Sequence, residues 1–306
     1  MSVLLAFPGQ GAQRPGMLHE LPDEPSVRAC LESASEVLGE SVLDLDSRAA
    51  LASTRAVQLC LLVAGVAAAG LLPPAQFVAG LSIGAYPAAV VAGALAFPDA
   101  VRLVALRGEL MQRAFPEGFG MTAILGLELG QLQPLIDRVH GRDTPVYLAN
   151  INAERQLVIA GSDAAMQAVA RLARQQGAGL ARRLAVSVPS HCALLQPAGA
   201  QLAAAFAQVQ LQRPRLRYLS ASSARPIVQA EALRDDLAWN LCRVVDWRGV
   251  IQHAYERGVR LHLELPPGTV LSGLARPLFG SGAVAFQSAR RDSLLTLIEE
   301  EGERTP

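Results

Sequence analysis

The chain has 306 residues, of which 51% are hydrophobic and 18% charged, and its 27 basic and 27 acidic residues give a formal net charge of zero. A chain of this length and apolarity buries a large core, and its charge balance offers neither a basic field for nucleic acid nor an acidic tail. All the basic residues are arginine; the absence of lysine excludes Schiff-base chemistry, pyridoxal phosphate attachment and a Walker A phosphate loop.

Taken in chain order, Val3 to Phe7 is an apolar run that predicts a strand, closed by the turn Pro8-Gly9-Gln10-Gly11. That early break argues against a signal peptide. An amphipathic helix is predicted from about Glu24 to Leu38 and a buried Ala/Leu/Val helix from about Arg55 to Ala69, stopped by Pro73-Pro74. The longest apolar stretch, Leu59 to Leu72, is shorter than the about 20 residues a membrane span requires. Cys30, Cys60, Cys192 and Cys242 lack C-x-x-C spacing and imply neither a zinc site nor a disulfide framework. A cytoplasmic protein, without a membrane segment or metal, is expected.

Phe77-Val78-Ala79 predicts a strand that runs into Gly80-Leu81-Ser82-Ile83-Gly84 and then a helix to about Ala92. This is G-x-S-x-G in the strand–turn–helix setting of a nucleophile elbow, where flanking positions tolerate almost no side chain and the serine sits at a helix N-terminus. The alternative is an ordinary glycine-rich βα loop. The N–H of Ile83 is one candidate oxyanion donor. A second lies in Phe7 to Gln13, which also follows a strand at the carboxyl edge of the sheet.

A helix from about Asp99 to Ala114 places Asp99, Arg102, Glu109 and Arg113 on one face, with Ala100, Leu103, Val104, Met111 and Ala114 opposite. Arg107 falls inside the apolar stripe. An arginine keeps its charge, and burying it unpaired costs several kcal/mol, so Arg107 requires an anion. That anion is either an internal acid or the carboxylate of a ligand; a snorkelling side chain is the remaining alternative.

From Met121 the rhythm changes to strand 121–126, helix 128–139, strands 145–150 and 156–161, helix 163–176 and strand 180–187. This β-α-β-β-α-β order predicts a small ferredoxin-like α+β domain over 121–187. It is inserted in a large α/β-hydrolase-like domain with a parallel sheet, formed by 1–120 and 188–306.

Of the five histidines, His262 fits a strand, His140 caps a helix, and His19 and His253 look exposed. His191 follows the apolar run Leu184 to Val188 through Pro189-Ser190, at a strand end and a helix start, the position expected of a general base. No aspartate or glutamate occupies a strand end suited to a third member, so a Ser82–His191 dyad, its imidazole oriented by a backbone carbonyl, is expected. The run Glu299-Glu300-Glu301 reads as a frayed end.

Together these residues resemble the malonyl-CoA:acyl carrier protein transacylase family over nearly the whole chain. The resemblance rests on Phe7-Pro8-Gly9-Gln10-Gly11-Ala12-Gln13, the elbow at Ser82, Arg107-Gly108, Pro116-Glu117-Gly118, and Asn150-Ile151-Asn152 with Val158-Ile159-Ala160-Gly161. Ser190-His191-Cys192 and the stretch from Asn240 to Trp247 complete it. It implies transfer of a malonyl group from malonyl-CoA to the phosphopantetheine-type thiol of an acyl carrier protein, through an acyl-serine and with no bound cofactor. Ser82 is then the nucleophile and His191 the base, with Gln10 and Ile83 as oxyanion donors, Arg107 on the substrate carboxylate and the Asn240 carbonyl orienting the base.

Leu81 and Ala85 replace the usual His and Glu beside the nucleophile, Ser190 the usual Phe, and Asn240 the usual Gln. Gly80-Leu81-Ser82-Ile83-Gly84-Ala85-Tyr86-Pro87 looks most like the transacylase subunit of malonate decarboxylase, which implies other decarboxylase subunits as partners. The small Ser190 leaves a 2-methyl branch on the acyl group open. The competing readings are an acyl-CoA thioesterase or esterase and a non-catalytic carrier-binding subunit.

Overall fold

A computed structural model of the chain describes residues 3–115 and 117–303. Pro116, part of the Pro116-Glu117-Gly118 motif, lies outside the described residues. The chain begins with β1 (Val3–Phe7), α1 (Pro25–Leu38), α2 (Thr54–Ala69), β2 (Phe77–Gly80), α3 (Ala85–Val91) and α4 (Phe97–Ala114). It continues through β3 (Phe119–Leu125), α5 (Leu129–Val139), β4 (Val146–Ala153), β5 (Gln156–Ser162), α6 (Asp163–Gln175) and β6 (Leu180–Arg183). Then come α7 (Gln196–Phe206), β7 (Arg217–Ser220), β8 (Arg225–Ile227), α8 (Ala230–Trp239), β9 (Val245–Asp246) and α9 (Trp247–Glu256). The last elements are β10 (Leu261–Glu264), α10 (Val270–Phe279), β11 (Ala283–Ala285) and α11 (Arg291–Glu303).

Two sheets organise these elements. The larger has the order β11-β10-β1-β2-β7-β8, parallel except for the antiparallel β7–β8 pair at its edge. Its central strand β1 is buried at every position, as a strand covered by helices on both faces must be. One face packs on α2, α3 and α4 through residues such as Leu5, Phe7, Leu59, Leu62 and Val104, and the other on α9 and α10 through Leu4, Ala6, Val250 and Leu271.

The smaller sheet runs β6-β3-β5-β4-β9. Its β3, β4, β5 and β6 pair antiparallel, and α5 and α6 bury Leu132, Ile136, Met166 and Val169 against Ile124, Val146, Leu157 and Ile159. The fifth strand comes from outside the 121–187 segment. β9 follows Asn240 by a few residues and pairs parallel with β4, Asn150 opposite Val245 and Ile151 opposite Asp246.

Several local expectations are corrected. Strand β6 stops at Arg183, and Leu184 to Val188 forms no strand. The Arg183 guanidinium donates to the carbonyls of Leu184 (3.0 Å) and Val186 (2.7 Å), satisfying acceptors that a strand neighbour would otherwise take, and Pro189 lacks an N–H. His253 is buried, because it lies on the inner face of α9 beside Val250 and Ala254. The acidic run Glu299-Glu300-Glu301 belongs to α11, with Glu301 buried. No helix among the described residues is long and apolar enough to cross a membrane.

Candidate active site

Strands β1 and β2 end side by side, Phe7 opposite Gly80, and the Leu81 N–H donates to the Phe7 carbonyl at 3.0 Å. The chain must then reverse into a 3₁₀ turn, Ser82–Gly84, that leads directly into α3. The reversal requires glycine on both sides of Ser82. A Cβ at Gly80 would lie 1.9 Å from the Gly84 carbonyl carbon, and one at Gly84 would lie 2.2 Å from the Phe7 oxygen. Ser82 itself sits at φ 57°, in the left-handed region. A side chain held there costs on the order of 1–3 kcal/mol, a strain found where a fold presents a reactive group.

His191 reaches Ser82 differently. It lies in irregular chain at φ 64°, two residues before the 3₁₀ turn Ala193–Leu195, rather than at a helix start. Its backbone N–H donates to the Leu241 carbonyl at 2.7 Å, and its Nδ1 faces the carbonyls of Asn240 (2.8 Å) and Arg243 (3.2 Å). Carbonyl oxygens only accept, so Nδ1 carries the proton and Nε2 is left as the acceptor for the Ser82 hydroxyl, 2.9 Å away. Among the described residues no carboxylate contacts the imidazole. Burial and the neighbouring Arg107 charge push the His191 pKa down to about 4, against the opposing pull of the two carbonyls. The ring is therefore neutral and proton-accepting near pH 7.

Arg107 is fully buried on α4. Its Nη1 donates to Gln58 Oε1 at 2.7 Å, and its Nη2 lies 3.2 Å from both Ser82 Oγ and Asn240 Oδ1. Its guanidinium carbon stands 5.8 Å from the centre of the Tyr86 ring, within cation–π range. Burial lowers its pKa. Among the described residues every acceptor around it is neutral, and Nε has none. A full positive charge is thus held beside the serine without a counter-ion, and the internal-acid alternative does not apply.

Gln58, Tyr86 and the side chain of Asn240 were not singled out from the sequence. Gln58 had a signal, as the amide that interrupts the apolar run of α2 from Ala56 to Ala69. Asn240 adds a second link by donating from Nδ2 to the Ser82 carbonyl at 3.2 Å. Tyr86 is locked by donation to the Leu237 carbonyl at 3.0 Å.

Ser82 and His191 open onto a cavity of about 370 Å³ between the two sheets. Gln10, Asn150, Asn152, Gln156 and Ser190 line it with apolar Leu81, Met111 and Val158. The Gln10 N–H has no acceptor among the described residues, while Ile83 is buried directly after the nucleophile. Cys192, beside the base, donates to the Pro189 carbonyl, and burial pushes its thiol up to about 12, so it is no rival nucleophile. The described residues contain no His, Cys, Asp and Glu cluster suited to a metal. The arrangement can remove the Ser82 proton, stabilise negative charge at the elbow and hold an anionic group a few ångströms from the reacting centre.

The sequence model of the acyl transferase domain family matches residues 5–284. The malonyl CoA-acyl carrier protein transacylase of Haemophilus influenzae is 38% identical over 288 residues, 90% of this chain and 92% of that one. The Bacillus subtilis protein of the same name is 34% identical, over 90% and 89%. The solved malonyl CoA-acyl carrier protein transacylase of Coxiella burnetii superimposes with a TM-score of 0.92 at 33% identity, over 98% of this chain and 97% of that one. A structure of a type II PKS acyl-carrier protein in complex with its malonyl-transacylase matches with a TM-score of 0.87 at 35% identity, over 93% and 94%.

Proposed function

The chain belongs to the acyl transferase family, and from that membership we propose that it moves a malonyl group from malonyl-CoA to the thiol of an acyl carrier protein through an acyl-serine. The observation that carries this reading is the buried Arg107 charge beside Ser82 with only neutral acceptors around it. A planar guanidinium without a counter-ion favours an acyl group that brings its own carboxylate, joined through two parallel charge-assisted hydrogen bonds.

In this proposal His191 Nε2 takes the Ser82 proton as Oγ attacks the thioester carbonyl. The N–H groups of Gln10 and Ile83 hold the resulting oxyanion. Collapse breaks the carbon–sulfur bond, and His191 returns its proton to the departing CoA thiolate. The carrier thiol then loses its proton to His191 and attacks the ester, so the steps reverse and Ser82 is restored. The carbonyls of Asn240 and Arg243 keep Nδ1 protonated throughout. They stand in for the carboxylate of a triad.

The finer reading, a transacylase acting within a malonate decarboxylase, is supported by the Gly80-to-Pro87 sequence, and a cytoplasmic setting by cysteines without C-x-x-C or disulfide spacing. It is tested by offering the acyl-enzyme a decarboxylase carrier subunit and a fatty-acid carrier side by side; preferential discharge to the latter removes it.

The primary test is intact-protein mass spectrometry after brief mixing with malonyl-CoA, acetyl-CoA or methylmalonyl-CoA. A malonyl-sized adduct on the wild type, absent from Ser82→Ala and discharged by a holo carrier protein, is expected. No adduct with any of the three, and no release of CoA, refutes acyl transfer. Release of CoA with malonate appearing in water, whether or not carrier is present, replaces it with thioester hydrolysis.

A further inference from the structure

The exposed large hydrophobic side chains among the described residues are Leu129, Leu180, Val228, Val270 and Leu278. Three of these five gather at one place: Leu180 and Val270 line the catalytic cavity, and Leu278 lines a groove that continues from it. The groove, about 670 Å³, runs between α9, α10 and the β4–β5 turn, and shares Asn152, Gln156 and Leu274 with the cavity. On α10, Val270, Leu274 and Leu278 fall four residues apart and form one apolar stripe leading away from the opening. A clustered apolar patch with a polar rim marks an interaction surface, unlike apolar residues scattered singly.

The charges distinguish this face from the other arginine-rich ones. Among the described residues, Arg182 on the cavity rim and Arg248 in the groove have no carboxylate partner. Arg183 is held by Asp163 and by four carbonyls, and Arg243 is paired with Asp235 at 2.7 Å. Arg217 lies opposite Phe77, at the amino end of β2 and therefore on the edge of the sheet remote from Ser82. Arg213 and Arg215 precede it there. Within the groove Arg155 pairs with Glu128, and the two carboxylates that line it are Glu154, in the β4–β5 turn, and Glu256, which accepts from Gln252.

Resting on the acyl-transfer reading, we propose that the α10 stripe, with Leu180, Arg182 and Arg248, is the docking face for the carrier. The partner is a protein presenting an apolar surface flanked by carboxylates, from which a thiol-bearing arm enters the cavity beside Leu274. Ser82 faces this cavity, so a carrier whose thiol enters it must sit on the rim, and Leu180, Arg182 and Val270 stand there. Contact between the apolar stripe and the partner holds the complex, while Arg182 and Arg248 speed and orient its encounter.

The test uses the full chain and three rates: acylation by malonyl-CoA, discharge to free pantetheine, and discharge to a holo carrier protein. Arg248→Glu and Leu278→Glu each lower kcat/KM for the carrier by about tenfold or more, and leave the other two rates within about twofold. The Arg248→Glu defect deepens at low salt, and Arg213→Glu, on the remote edge, is silent. Carrier discharge within about twofold of wild type in both variants overturns the proposal. So does a parallel loss of acylation by malonyl-CoA, which assigns the groove to the nucleotide end of CoA. A wild type that forms no acyl-enzyme at all removes the underlying reading, and this partner with it.

Discussion

Replacing Arg107 with alanine separates recognition of a carboxylate from the chemistry at Ser82. The guanidinium is fully buried, and its two outer nitrogens reach Gln58, Asn240 and Ser82. Hydrogen bonds to a charged group contribute about 1.5–3 kcal/mol each. A substrate carboxylate forms two of them and displaces weaker neutral acceptors, so the net advantage of malonyl over acetyl is on the order of 3 kcal/mol. At about 1.4 kcal/mol per factor of ten, that is roughly a hundredfold in kcat/KM. Loss of the bond from Arg107 to Ser82 Oγ affects both acyl groups alike and cancels in the ratio. The assay is CoA release from malonyl-CoA and acetyl-CoA under kcat/KM conditions, wild type against Arg107→Ala. The ratio is expected to fall by about two orders of magnitude, while acetyl acylation changes far less. An equal loss for both substrates refutes the carboxylate role and leaves Arg107 as a structural support.

Three further outcomes follow from the same geometry. The His191 pKa is lowered to about 4, so its proton-accepting form persists as pH falls through 6; the acid limb of kcat/KM lies well below 6, and Arg107→Ala, which removes a repelling charge, moves it upward. An acid limb that stays near 6.5 in both proteins contradicts this. Gln58→Glu places a carboxylate 2.7 Å from Arg107 Nη1 and satisfies the clamp internally, so KM for malonyl-CoA rises by about tenfold or more while KM for acetyl-CoA stays level, as steady-state kinetics would reveal. Gly80→Ala drives a methyl into the Gly84 backbone and costs about 3 kcal/mol or more, read as a lowered denaturation midpoint together with loss of the acyl-serine; wild-type stability would show that the elbow tolerates a side chain.

The parts of this site that depend on near neighbours in the chain were legible before folding. Gly80, Ser82 and Gly84 lie within five residues and need only a strand before and a helix after. Arg107 betrayed its burial through the apolar residues around it on one helix. The resemblance extended this to the Asn240 carbonyl, which lies 2.8 Å from His191 Nδ1.

Other features arise from contacts between distant segments. Gln58 and Asn240 meet Arg107 across 49 and 133 residues, and a lone glutamine or asparagine carries no periodic signal of such a meeting. The path into His191 escapes sequence patterning because Leu184 to Val188 has a strand's composition, whereas Arg183 reaches the carbonyls of Leu184 and Val186 and the segment forms no strand. β9 has only two residues, too few for any alternation to register.

That two-residue strand has a practical consequence for anyone recombining these enzymes. The small sheet looks like a cassette that can be lifted out between 121 and 187, yet its outer ladder is completed by Val245 and Asp246. Those residues stand directly downstream of the carbonyls that aim the catalytic imidazole. A chimaera with a foreign cassette must match its backbone at Asn150 and Ile151 to a strand belonging to the recipient. A poor match there is transmitted to the aim of His191, so the hybrid folds and binds but turns over slowly; the seam to engineer is β4 against β9, rather than the two points where the chain crosses.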